Sequence, residues 1–219
     1  MTIIFSDTHL TPEFNHKLFN KLKKIISRAN RVIINGDFWD GYLTNFDTFI
    51  NSEWRKLFKL LKKKKTIYVF GNHDPEDFGD HRYHLFSDRQ CNFFRFKSGN
   101  QLFHVEHGDK LNFNLTFKTK PLIPFLRRGY RFIDKQKNLR TVMGNFFDYI
   151  AKLTDEKGDD TIFKYMAKRK NKDKHFYIFG HTHIPRFYRK LRYANPGRID
   201  SHQFGYIEII NGICRLKKI

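Results

Sequence analysis

Seven residues of this chain have the types and settings to do chemistry: Asp7, His9, Asp37, Asn72, His107, His181 and His183. They are imidazoles, carboxylates and one amide, with no thiolate among them. Nitrogen and oxygen donors suit a borderline or hard divalent cation: manganese first, then iron, zinc or cobalt, with magnesium at the hard end. Seven donors exceed the four of a tetrahedral site, and the thiolate set of a structural zinc is missing. Two cations sharing one carboxylate account for the number, and Asp37 is the natural bridge. Taken singly each signal is weak, because an Asp after Gly often only caps a turn. Their weight comes from a shared context, in which each follows a short apolar run.

Those runs read as strands. Thr2 to Phe5 leads into Asp7 and His9, and Val32 to Ile34 stops on Gly36 and presents Asp37. Thr66 to Phe70 ends on Gly71-Asn72-His73-Asp74, Leu102 to Glu106 on His107-Gly108-Asp109, and His175 to Phe179 on Gly180-His181-Thr182-His183. Open α/β sheets build their sites at the carboxyl ends of strands. Between the first two strands, Thr11-Pro12 predicts an N-cap and first helical residue. Phe14, Leu18, Leu22, Ile25 and Ile26 follow at helical spacing. A strand, helix and strand in that order imply parallel strands, which deliver Asp7 and Asp37 to one sheet edge.

A second helix is expected over 46–61, with Phe49, Trp54, Leu57, Phe58 and Leu61 buried and Lys62 to Lys65 at its negative end. Residues 76–89 read as a polar loop, and Phe93 to Phe96 forms a hairpin with Leu102 to Glu106 around Ser98-Gly99-Asn100. Residues 186–193, 204–209 and 213–216 read as antiparallel strands. From about 112 to 173 the strand signal fades, and helical pattern recurs around 125–132, 139–153 and 161–167. Between Phe113 and Val142, the basic residues Lys118, Lys120, Arg127, Arg128, Arg131, Lys135, Lys137 and Arg140 stand against a single acid, Asp134. The stretch lacks the Gly, Pro or Ser linkers of a free domain. It is expected to be a basic helical insertion lying over the site, within one domain spanning 1–219.

With 42 Lys+Arg against 22 Asp+Glu, the formal net charge of +20 attracts polyanions: nucleic acid, nucleotides or an anionic membrane surface. A composition rich in Lys, Asn, Ile and Phe is also what an AT-rich genome produces. Hydrophobic residues at 40% give a globular core, and no apolar run approaches the roughly 18 residues of a membrane span. The first strand runs straight into Ser6-Asp7-Thr8-His9, so no cleavable leader is expected. Cys91 and Cys214 make no disulfide framework, and reduced thiols in the cytoplasm are expected.

The motif series resembles the calcineurin-like metallophosphoesterases. It runs Asp7-Thr8-His9, Gly36-Asp37-Phe38-Trp39-Asp40, Gly71-Asn72-His73-Asp74, His107-Gly108 and Gly180-His181-Thr182-His183. The resemblance implies an α/β fold, an αββα sandwich of two mixed sheets. It implies that Asp7, His9 and His183 hold one metal and Asn72, His107 and His181 a second, with Asp37 bridging. The implied reaction is hydrolysis of a phosphodiester or pyrophosphate bond by in-line attack of a metal-bridging hydroxide. His73, the motif histidine left without a metal, is expected to meet the phosphate or protonate the leaving oxygen, with Asp74 orienting it. Asp40 is expected to stabilise its turn or support the ligands from behind.

Within the superfamily, the insertion and its Pro121-Leu122-Ile123-Pro124-Phe125-Leu126-Arg127-Arg128 run are similar to bacterial UDP-diacylglucosamine pyrophosphohydrolases. That likeness implies substrate contacts from Arg127, Arg128 and Arg131 and peripheral association with the anionic inner face of a membrane. Some members of that group have Arg where this chain has His73, and the Tyr193-Ala194-Asn195-Pro196-Gly197 ending resembles small soluble phosphodiesterases. A nuclease or nucleotide phosphodiesterase is the alternative, with exposed aromatics stacking on bases. A non-catalytic scaffold is the third reading.

Overall fold

Alternation along the first strand sets the layering. In β1 (Thr2–Phe5), Ile3 and Phe5 face a helical layer, whereas Ile4 faces a second sheet. The central strand β2 (Arg31–Asn35) repeats this, with Val32 and Ile34 on the helical side and Ile33 on the other. The computed structural model describes residues 1–111, 156–169, 173–200 and 204–218. The predicted helices around 125–132 and 139–153 lie outside the described residues.

Two mixed sheets form the centre. The first adds β3 (Ile67–Val69), β4 (Arg89–Cys91), β10 (Gly205–Ile210) and β11 (Ile213–Lys218) in the order β11-β10-β1-β2-β3-β4. Its pairs from β1 to β4 are parallel, as the strand-helix-strand order requires, and β10 and β11 join antiparallel. The second sheet contains the hairpin β5 (Phe93–Ser98) and β6 (Gln101–Glu106), then β7 (His175–Ile178), β8 (Arg186–Tyr188) and β9 (Tyr193–Asn195). Its order is β5-β6-β7-β9-β8, with β6, β7 and β9 parallel.

The seam between sheets is apolar: Ile4, Ile33, Val69, Phe103, Val105 and Ile178 are all fully buried there. Each such side chain contributes about 1.5–3 kcal/mol. On the first sheet's outer face pack α1 (His16–Arg28), α2 (Phe46–Ile50) and α3 (Phe58–Lys63). On the second sheet's outer face, Ile162 and Met166 of the helical residues 156–169 pack on Tyr177, Phe179 and Tyr193. The result is the four-layer αββα arrangement.

Three local expectations are corrected. Helix α1 starts at His16, where the Asn15 side chain accepts the Leu18 N–H at 2.9 Å. The Thr11 carbonyl is instead taken by the Trp54 indole at 2.7 Å. The helix expected over 46–61 breaks into α2, a 3-10 turn and α3, because the side chains of Asn51 and Ser52 hydrogen-bond the carbonyls of Asp47 and Phe49. Residues 186–193 form two strands, not one, with a 3-10 turn at Arg189–Leu191 between them. Strand β4 had no sequence signal, since it is a short polar edge strand whose pairing comes from β3.

Candidate metal centre

The strand ends are built from strained backbone. Eight non-glycine residues have positive φ among those described, and five of them are Asp7, His9, Asp37, His181 and His183. Left-handed backbone at a non-glycine residue costs roughly 1–3 kcal/mol and persists where function demands the geometry. Loops are stitched together behind these residues. Asp7 N–H donates to the Gly36 carbonyl at 3.1 Å, and the Thr8 and His9 N–H groups donate to that of Asp37 at 2.9 Å. Gly36 and Gly71 allow the approach: a Cβ at Gly36 would meet the His107 ring at 2.4 Å, and one at Gly71 the Asp37 carboxylate at 2.2 Å.

All seven donors read from the sequence converge. A continuous run of close approaches links them. His183 Nε2 lies 3.6 Å from Asp7 Oδ1 and 3.1 Å from His9 Nε2, which is 3.7 Å from Asp37 Oδ2. Asp37 Oδ2 is 3.3 Å from His107 Nε2, itself 3.1 Å from Asn72 Oδ1, and His181 Nδ1 reaches that same oxygen at 2.8 Å. The groups Asp7/His9/His183 and Asp7/Asp37/His107 each bring three donor atoms within 4.8 Å of one another.

His107 tests whether these residues fit a cation. Its Nδ1 lies 2.9 Å from the Asn35 carbonyl, which can only accept, so the proton sits on Nδ1. Nε2 points at the oxygens of Asp37 and Asn72. Burial opposes a charge on the ring, but the Asp37 carboxylate outweighs it and holds the pKa well above its ordinary value. The pocket thus draws positive charge to Nε2, and a divalent ion held by Nε2 and the two oxygens would take the place of that proton. Asn35 is a residue that sequence reasoning missed. It ends the central strand, and its side-chain amide donates to the Glu106 carbonyl at 3.0 Å, tying the two sheets together.

The electrostatics agree. Burial holds the pKa of His9 well below its ordinary range, and burial with the neighbouring His107 pushes His181 down to about 3. Both rings keep free lone pairs at neutral pH. Burial opposes ionisation of Asp37, but the imidazoles of His107, His73 and His9 outweigh it and hold its pKa well below normal. Asp7, fully buried, has its pKa raised by desolvation against the pull of His107 and His183.

His73 stands beside this set. Its ring meets that of His9 edge-on at 4.4 Å and lies 4.3 Å from Tyr42, whose hydroxyl donates to the Asn72 carbonyl at 2.6 Å. Burial favours the neutral ring, yet the carboxylates of Asp37 and Asp40 push its pKa up to about 9. One expectation is corrected here: Asp40, not Asp74, orients His73, through Oδ1 at 3.2 Å from Nδ1. The same oxygen accepts the Tyr42 N–H at 3.0 Å, so Asp40 holds both its turn and the ring. Asp74 faces inward. Its carboxylate accepts the N–H groups of Gly71, Asp37 and Phe38 at 2.8, 2.9 and 2.6 Å, and the Tyr68 hydroxyl. It braces the loops that carry Asp37 and Asn72. The expected substrate contacts Arg127, Arg128 and Arg131 lie outside the described residues.

The sequence matches the profile of the calcineurin-like phosphoesterases over residues 2–185. The chain belongs to this family. It is therefore a metal-dependent phosphoesterase, a hydrolase that works with divalent ions on a phosphoester. No curated protein sequence matches it significantly. Among solved structures it is similar to an archaeal phosphodiesterase, at 16% identity over 100% of this chain and 99% of that one, with a TM-score of 0.48. It is also similar to the zinc complex of Vps29 from Entamoeba histolytica, at 13% identity over 100% and 97%, TM-score 0.45. A third is a predicted phosphoesterase of Streptococcus pneumoniae, at 13% identity over 100% and 97%, TM-score 0.41.

Proposed function

We propose that this phosphoesterase cleaves a phosphodiester or pyrophosphate bond at a dinuclear centre. Asp7, His9 and His183 would hold one ion and Asn72, His107 and His181 the other, with Asp37 serving both. The observation that supports this most directly is the orientation of His107, whose Nδ1–H is held by the Asn35 carbonyl so that Nε2 points at the oxygens of Asp37 and Asn72. When bound, the divalent ions supply charge against the phosphoryl oxygens and acidify water; manganese suits the donor set. His73, kept protonated by Asp37 and Asp40, would bind a phosphoryl oxygen or protonate the leaving oxygen.

For the substrate we favour a nucleotide-lipid of the UDP-diacylglucosamine kind, hydrolysed at its pyrophosphate. The support is the sequence of residues 112–155, cationic and apolar together, which suits an acyl chain beside an anionic membrane face. Among the described residues no helix is long and apolar enough to cross a membrane, so such contact would be peripheral. Nucleic acid is the second substrate class, favoured by the net charge of +20.

The test compares bis(p-nitrophenyl) phosphate with p-nitrophenyl phosphate, with manganese and with chelator, for wild type and Asp37→Asn. Manganese-dependent cleavage of the diester, lost with chelator and in Asp37→Asn, is expected. Cleavage of the monoester alone would refute the diesterase reading. UDP-lipid and single-stranded oligonucleotide then separate the two substrate classes.

A further inference from the structure

The segment after β9 is tied to the centre by the backbone on both sides of one cation. The Asn195 amide donates to the Gly180 carbonyl at 2.8 Å and to Thr182 Oγ1 at 3.0 Å, binding the segment to the loop that carries His181 and His183. Three residues on, the Arg198 N–H donates to the His183 carbonyl at 3.1 Å, and the Ile199 N–H to the Asp7 carbonyl at 3.1 Å. Ile199 is fully buried and acts as an anchor. Arg198 is thus held between the main chains of His183 and Asp7. Its charge is among those that His9 feels.

The guanidinium has unused donor capacity. Its Nε is buried without a hydrogen-bond partner. The Asp200 carboxylate stands 3.6 Å away, beyond hydrogen-bond reach. The side chain as a whole is 41% exposed, so the remainder of the fork opens to solvent. Nε is paired with Asp200 by charge alone and makes no hydrogen bond. A buried donor without a partner costs roughly 1–3 kcal/mol and is retained where something else is to be bound. The planar fork of Arg matches two oxygens of one phosphoryl group, which a Lys ammonium cannot do.

We infer that Arg198 is a substrate-binding residue of this phosphoesterase, holding a phosphoryl oxygen of the substrate on the Asp7/His9/His183 side of the centre. This rests on the placing of the site proposed above. It adds a contact from outside the motif series. Arg198 binds and orients the substrate and takes no part in holding metal.

The experiment uses the full-length, manganese-loaded protein and inorganic phosphate as the probe. Calorimetric titration of phosphate is run on wild type, Arg198→Met and Arg198→Lys, with bound manganese measured in each. Loss of one charged, two-pronged contact is expected to weaken phosphate binding by roughly 10- to 100-fold in Arg198→Met. Bound manganese stays at the wild-type level, and Arg198→Lys recovers part of the affinity. In turnover, KM for the cleaved ester rises by the same factor while kcat changes less than about threefold. Unchanged phosphate affinity in Arg198→Met overturns the inference, and so does loss of manganese from that variant, which would make Arg198 a structural brace. If wild type cleaves no phosphoester with metal bound, the functional reading fails, and the phosphate titration still decides Arg198.

Discussion

Asp74 is the residue whose replacement separates a structural brace from a catalytic partner. Its carboxylate is fully buried. One oxygen accepts from the Gly71 and Asp37 N–H groups, the other from the Phe38 N–H and the Tyr68 hydroxyl. In Asp74→Ala all four donors are orphaned at about 1 kcal/mol or more each, a loss of roughly 4–6 kcal/mol. That approaches the whole stability of an ordinary domain, about 5–15 kcal/mol. Asp74→Asn keeps the shape and one acceptor oxygen, but turns an NH2 towards two donors, and should cost about half as much, roughly 2–3 kcal/mol. For a chain of this size 1 kcal/mol corresponds to about 2–4 °C, so the melting temperature of Asp74→Asn should fall by roughly 5–10 °C. Thermal unfolding of the manganese-loaded variants is the assay, with turnover measured well below the transition. If Asp74→Asn melts with wild type yet loses activity by orders of magnitude, Asp74 acts on the reaction and the bracing role is wrong.

Asp40→Asn should behave in the opposite way. An amide oxygen can still accept the Tyr42 N–H, so melting changes little, while loss of the charge at 3.2 Å from His73 Nδ1 lowers the pKa of that ring and cuts kcat by about tenfold or more; a pH–rate profile identical to wild type would refute this. Burial pushes the Cys214 thiol up to about 12 and raises that of Cys91, so neither holds appreciable thiolate at pH 8. Native protein should react slowly with Ellman's reagent and unfolded protein at once, and two fast thiols in the native state would contradict the packing.

The chemistry of the centre was legible in the sequence because it is written locally. Each donor follows its own strand by one to five residues, and Asp, Asn and His are residue types that tolerate the left-handed turns found at Asp7, His9, Asp37, His181 and His183. In the apolar run Ile3, Ile4 and Phe5 the packing alone decided which side met helices and which met a sheet. What only the tertiary structure decided are relations between distant segments. Asp40 and Asp74 flank the site motifs with equal plausibility in one dimension. The loop after β2 folds over His73, bringing in Asp40, while Asp74 turns under the same loop to collect its N–H groups. Asn35 acts through a carbonyl that every residue has, and Arg198 through a tether to His183, 15 residues earlier in the chain. Side-chain type is a property of one position, whereas a hydrogen-bond partner is a property of two, and their meeting is set by the packing of both sheets.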